Sequence, residues 1–183
     1  MIKNSDGCLA GVIVLLATLL VQPASAEVAG NEQPAVNLEP EQQVGRETSL
    51  PIPRYVSLKA RRANARRGPS TVYPIDWVFT RSGIPLEVIG EFENWRQIRA
   101  IDDAEGWVVS SFLTGRRTGL ITADGTRIHL LANSTSLTVA KANRMVIVAV
   151  RSCSEDWCLI DLEDLKGWVH KDHLWGVYHH EVF

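Results

Sequence analysis

The sequence lacks the short motifs on which most enzyme classes depend. It has no glycine-rich phosphate loop, and its serine, histidine and aspartate residues form no nucleophile motif. Two acidic pairs, Asp102-Asp103 and Glu163-Asp164, lie in predicted hairpin turns, where solvated carboxylates are expected. We therefore expect a protein without enzymatic activity and without a cofactor.

Cysteine is scarce, with three residues in 183. The first, Cys8, precedes an apolar run from Leu9 to Val21 that follows Lys3 and leads to Ala24-Ser25-Ala26. This pattern is typical of a secretory signal peptide, residues 1–26, cleaved after Ala26. The alternative is a retained anchor, but the run is shorter than the roughly 20 apolar residues that span a bilayer. We expect a periplasmic or secreted, envelope-associated protein with no stable membrane span after cleavage.

The other two cysteines, Cys153 and Cys158, lie close together in "SCSEDWCL". An oxidising compartment and an even cysteine count favour a disulfide between them. A free or metal-bound thiol and a catalytic thiol are the alternatives.

Residues 27–53 have no aromatic side chain and hold five acids, one base and four prolines. Such a segment buries too little apolar surface to offset the entropy of ordering, so we predict a flexible acidic leader. The charge then changes sign, with a net charge of +4 over residues 54–117 and −2 over 118–183. About 130 residues remain after the leader, enough for one ordinary domain or two very small ones.

Helical patterns are also missing after the signal peptide, whereas turn signals recur at short intervals. Two segments repeat each other, residues 93–113 and 155–175, and each contains a Trp, an alternating strand, an acidic turn and Gly-Trp-Val. We predict an all-β fold of two tandem small β-barrels, residues 54–117 and 118–183.

Strand alternation predicts which tryptophans face outward. Trp95 and Ile98 are three positions apart, so if Ile98 faces the core, Trp95 faces outward, and the same holds for Trp157 and Ile160. The tryptophans inside Gly-Trp-Val, Trp107 and Trp168, are expected to serve as structural packing.

The first repeat resembles a bacterial SH3-like domain. The matching residues are Asn64, Arg66, Gly68, Pro69, Trp95, Gly106, Trp107 and Val108. The second repeat is similar to the degenerate partner in secreted two-copy members, because "LLANSTSLTVAK" replaces the Arg-x-Gly-Pro element. The resemblance implies SH3-like barrels and binding without turnover, with peptidoglycan peptides or a related anionic cell-wall ligand as the expected partner.

The candidate ligand site lies in the first repeat. In "KARRANARRGP" we expect Arg66 and Arg67 to engage ligand carboxylates, since the guanidinium donates two parallel hydrogen bonds. Tyr73, Trp77 and Trp95 are expected to form an aromatic shelf beside them. The alternative is a solvated strand face, and an exported protein is not expected to bind nucleic acid. We expect the second barrel to stiffen the first.

Four of the five histidines lie near the end of the chain: His170, His173, His179 and His180. Neutral imidazoles ligate zinc, nickel or copper, but this spacing matches no established zinc motif. Comparison of the repeats places His170 and His173 at surface positions of the last strand and turn, so we predict no metal site. Two other functions stay open: an adaptor that docks or regulates an envelope protein, and, less favoured, a cysteine- or metal-dependent cell-wall enzyme.

Overall fold

The computed structural model describes residues 43–183. The predicted signal peptide and the leader up to residue 42 lie outside the described residues. The described chain is built of strands, with two 3-10 helices at Ser110–Phe112 and Lys171–His173. None of its helices, over residues 43–183, has the length and apolar character needed to cross a membrane. The predicted all-β fold is confirmed.

The first barrel is a seven-stranded antiparallel sheet in the order β3-β2-β6-β5-β4-β1-β7. Its strands are β1 (Arg54–Leu58), β2 (Ala63–Arg66), β3 (Ile75–Phe79), β4 (Pro85–Phe92), β5 (Trp95–Arg99), β6 (Glu105–Val109) and β7 (Leu113–Thr114).

The second barrel repeats this topology in the order β10-β9-β13-β12-β11-β8-β14. Its strands are β8 (Thr118–Ile121), β9 (Thr126–His129), β10 (Thr138–Ala142), β11 (Ile147–Cys153), β12 (Trp157–Leu162), β13 (Leu165–His170) and β14 (Leu174–Trp175). Each strand of the second barrel therefore has a counterpart seven strands earlier in the chain.

Each sheet encloses its own hydrophobic core. Short alternating strands supply one buried side chain at every second position, many of them β-branched. The first core includes Leu58, Leu86, Val88, Ile98 and Val108, and the second includes Ile121, Ile128, Val148, Ile160 and Val169.

Residues 43–53, which we call the strap, were predicted to end the flexible leader but instead pack against the first barrel. Val44 forms a β-bridge with Pro51, and the amide of Ile52 donates to the carbonyl of Gln43 at 2.8 Å. The strap is anchored by Glu91 of β4, which lies more than 35 positions further along the chain. Composition alone did not reveal the strap because its stability comes from this distant carboxylate.

The Glu91 side chain is fully buried and accepts hydrogen bonds from the strap. Its oxygens accept from the Thr48 hydroxyl at 2.7 Å and from the backbone amides of Glu47 and Thr48 at 3.0 Å each. Arg54 donates to the same carboxylate at 2.7 Å. Burial by itself would raise the pKa of Glu91, but the hydrogen bonds from Thr48, Arg54 and the amides outweigh it and lower this pKa to about 2.

Polar contacts join the two barrels. The hydroxyls of Ser57 and Thr118 lie 2.6 Å apart, and Thr118 donates to the carbonyl of Gly83 at 2.7 Å. The Tyr178 hydroxyl donates to buried Glu87 at 2.8 Å. Because buried polar groups are costly to separate from their partners, these contacts hold one barrel against the other.

Candidate ligand-binding site

Arg66 and Tyr73 meet at the turn after β2. A guanidinium nitrogen of half-buried Arg66 donates to the carbonyl of Tyr73 at 2.6 Å. The turn is tight, since a Cβ at Gly68 would come within 2.7 Å of the Tyr73 ring. A larger residue at position 68 would displace the Tyr73 ring, and the turn brings Arg66 and Tyr73 together.

Trp95 lies on the outer side of the sheet, as strand alternation predicted. Ile98 is fully buried in the core, whereas Trp95 is half-buried and pairs across the strands with Val109. On the neighbouring strand Trp107 pairs with both Arg66 and Gln97. Directly paired residues of an antiparallel sheet point to the same side. We call the surface formed by Arg66, Trp95 and Trp107 the outer face.

Trp107 and Trp168 correct the expectation that the tryptophans of Gly-Trp-Val serve as core packing. Both are half-buried, and the residues that follow them, Val108 and Val169, are the fully buried ones. The signal was available in the sequence, because the alternation rule applied from Val108 places Trp107 outside.

Trp77 does not join the predicted aromatic shelf. It pairs with Ala65, which is completely buried, and it packs against the first core and the edge of Phe79, with ring centroids 6.4 Å apart. Trp77 therefore lies on the opposite side of the sheet from Trp95. A β-bulge between Ala65 and Arg66 shifts the pairing of β2 with β3, so counting positions along the chain does not give the side on which Trp77 lies.

Arg67 is also placed differently from Arg66. Its guanidinium forms an ion pair with Asp76 at 2.6 Å, and this contact raises the pKa of Arg67 further above its ordinary value. The side chain is 68% exposed. Of the five predicted ligand-binding residues, the structure groups Arg66 with Tyr73 and sets Trp95 on the same face as Arg66.

The second barrel has a counterpart of this face. His129 pairs with Trp168 as Arg66 pairs with Trp107, and Trp157 pairs with His170 as Trp95 pairs with Val109. The Trp157 ring lies edge to face with His129 and His170, at centroid distances of 5.4 and 5.1 Å. A cavity of about 430 Å³ is lined by the neighbouring β8–β9 turn together with His129, Trp157 and His170.

The four terminal histidines do not form a single cluster. His170 lies 6.5 Å from His173 between ring centroids, while His180 stacks on Tyr178. His170 and His179 both approach the carboxylate of Asp172, at 3.3 and 3.7 Å. Over residues 43–183, no group of three or more histidine, cysteine or acidic side chains has an arrangement that holds a metal ion.

The predicted disulfide between Cys153 and Cys158 is confirmed. The two cysteines form a cross-strand pair of β11 and β12, with 4.1 Å between their Cα atoms, and both are buried. Nucleophilic catalysis requires a thiolate, so neither residue is available for it in this oxidised form.

Both repeats match a known protein family. A family model described as bacterial SH3 domain matches residues 59–115 and 132–176, more than half of the chain. No curated protein sequence matches the chain.

Several solved structures are similar to the chain at low identity. They include NlpC2 from Trichomonas vaginalis, with 11% identity, a TM-score of 0.32 and coverage of 67% of this chain and 47% of that one. NlpC1 from the same organism has 12% identity, a TM-score of 0.32 and coverage of 72% and 48%. An NlpC/P60 family protein from Bacillus cereus has 10% identity, a TM-score of 0.29 and coverage of 66% and 55%. The chain spans about half the length of these proteins.

Proposed function

The chain belongs to the bacterial SH3 domain family, and from that premise we propose that it is a non-catalytic module of the cell envelope that binds anionic peptides of peptidoglycan. The disulfide fits a protein that acts outside the cytoplasm. The ligand carboxylate would be held by Arg66, and the apolar part of the peptide would lie on Trp95 and Trp107.

One observation carries this proposal: the strand register puts a guanidinium and two tryptophans on one face of the first barrel. Tryptophan offers a large, rigid contact surface with a polar edge, which suits a peptide or sugar face. Such residues dominate the binding energy of many recognition surfaces. The segment 54–117 also carries a net charge of +4, which favours a carboxylate ligand.

A hydrogen bond to Tyr73 restrains the Arg66 side chain before a ligand binds. The bond to the Tyr73 carbonyl uses one of the five N–H donors of the guanidinium and restrains the side chain. A restrained guanidinium loses less entropy when it forms a bidentate contact with a carboxylate. Arg67, in contrast, already has Asp76 as its partner.

The second barrel would support the first through the contacts of Tyr178 and Thr118. Its own outer face carries His129 in place of Arg66 and therefore has a different chemistry. We assign the carboxylate-binding role to the first barrel for this reason.

Calorimetric titration of residues 27–183 with soluble muropeptides tests the proposal. Trp95→Ala should weaken binding at least about tenfold, whereas the equivalent change in the second barrel, Trp157→Ala, should leave the affinity within about twofold. A larger effect of Trp157→Ala would place the ligand on the second barrel. No heat of binding from any muropeptide would favour the adaptor function, in which a protein is the partner.

A further inference from the structure

A second cavity, of about 460 Å³, lies between the two barrels. None of its lining residues belongs to the outer face, and its volume falls within the roughly 300–1,000 Å³ typical of small-molecule sites. Interfaces between domains are a frequent location for such sites. Its main apolar walls are Trp77, Phe79 and Ile84 of the first barrel and Leu120, Met145 and Ile147 of the second.

The walls of this cavity are apolar but remain accessible. Trp77, Phe79 and Ile147 are half-buried, and Met145 is 45% exposed. Each square ångström of apolar surface left in water forfeits about 25 cal/mol of burial free energy. A concave apolar surface that the fold does not fill is therefore a candidate site for a ligand with an apolar body.

Polar contacts join the two barrels whose side chains form the cavity. The Thr118 hydroxyl of the second barrel donates to the carbonyl of Gly83 in the first at 2.7 Å. The Tyr178–Glu87 bond is a second polar contact between the barrels. A preformed site binds with less loss of conformational entropy than one that has to be assembled.

Two charged residues line the cavity, Arg81 and Asp102. Asp102 accepts the backbone amide of Ala104 in its own turn at 3.4 Å. Arg81 is exposed, and its contact with Met145 is long for a charged donor, so its guanidinium can turn to a stronger acceptor. Arg81 is therefore the group of the lining that can bind an anionic ligand.

We propose that the cavity between the barrels binds a small apolar carboxylate, with its aromatic or branched aliphatic body against Trp77, Phe79 and Ile147 and its carboxylate on Arg81. This site is independent of the outer face. It also gives a function to Trp77, which the fold separates from the other predicted aromatic residues.

Two fluorescent probes test this site in the protein spanning residues 27–183. Anilinonaphthalene sulfonate combines an apolar body with an anion, and phenylnaphthylamine has a similar body without charge. Arg81→Gln should weaken the anionic probe at least about fivefold and leave the neutral probe within about twofold. Ala104→Phe, which fills the cavity, should weaken both probes at least about tenfold.

Matched controls use residues away from the cavity. Arg62→Gln removes an exposed arginine elsewhere, and Ala132→Phe adds the same ring to an exposed loop of the second barrel. Both should leave both probes within about twofold. Thermal unfolding checks the fold of every variant, because Arg81→Gln also removes the long contact with the Met145 carbonyl. The proposal is overturned if Ala104→Phe leaves probe binding unchanged, or if Arg62→Gln weakens the anionic probe as much as Arg81→Gln.

Discussion

The hydroxyl of Tyr178, in the second barrel, donates a hydrogen bond to the buried carboxylate of Glu87, in the first, with 2.8 Å between the two oxygens. Arg99 supports the same carboxylate at 3.2 Å, and Tyr55 packs on Tyr178 with ring centroids 4.7 Å apart. This bond links residues 91 positions apart in sequence.

Tyr178→Phe should destabilise the protein by about 2 kcal/mol, because the buried Glu87 loses its hydroxyl donor. Urea unfolding monitored by tryptophan fluorescence measures the change. Tyr73→Phe is the matched control, since its ring is 44% exposed, and it should change the unfolding free energy by less than about 0.5 kcal/mol. Equal effects of the two variants would show that the bond to Glu87 does not stabilise the fold.

Alkaline pH should weaken the same contact. Burial, and then the charge of Glu87, raises the pKa of Tyr55 to about 12, and burial with the bond to Glu87 raises the pKa of Tyr178 as well. A group whose pKa is raised by folding contributes stability that is present below its ordinary pKa of 10.0 and lost as the pH rises through the folded value. Stability should therefore fall between about pH 10 and 12, and less steeply in Tyr178→Phe. A flat profile over this range would contradict the assignment.

Glu91→Gln should release the strap. The buried carboxylate is the acceptor for Thr48 and Arg54, so its loss should cost about 2 kcal/mol. Arg46 is already exposed, and release of the strap should speed trypsin cleavage after it. Because the folded pKa of Glu91 is about 2, against an ordinary 4.5, its contribution is present above pH 4.5 and is lost as the pH falls toward 2. The variant should lack this acid-dependent loss.

Glu93→Gln is the control for that variant, because Glu93 is an exposed residue of the same hairpin. Stability is followed by thermal unfolding from pH 6 to pH 2 and cleavage at Arg46 by mass spectrometry at neutral pH. If Glu91→Gln and Glu93→Gln give the same cleavage rate, the strap is held by other contacts.

The disulfide closes a short loop, so its contribution to stability should be modest. Replacing both Cys153 and Cys158 with Ala should reduce the unfolding free energy by about 2 kcal/mol. In residues 27–183, denatured without reductant, a thiol reagent should find no reactive group, and two should appear after reduction. A thiol that reacts before reduction would contradict the pairing.

Much of the fold follows from local patterns in the sequence. Alternation predicted that Trp95 lies outside when Ile98 is buried, and the repeat predicted that Trp157 has the same position in the second barrel. These relationships involve residues a few positions apart in one strand, where side chains alternate between the two faces of the sheet.

The remaining features depend on distant contacts. The side on which Trp77 lies is changed by a bulge, and the strap is ordered by Glu91 from another strand. The cavity between the barrels depends on how the two barrels pack against each other. None of these leaves a periodic pattern in the sequence.

Co-sedimentation of residues 27–183 with purified peptidoglycan sacculi tests the central claim most directly. The wild type should be retained at low salt and released as salt rises, because ion pairs at an exposed face are screened. Arg66→Ala should abolish retention with an unchanged circular dichroism spectrum, whereas Arg67→Ala, which removes the same charge one residue further along, should keep most of it. Retention of Arg66→Ala at the level of the wild type, or a wild type that stays in the supernatant at low salt, would contradict the proposed function.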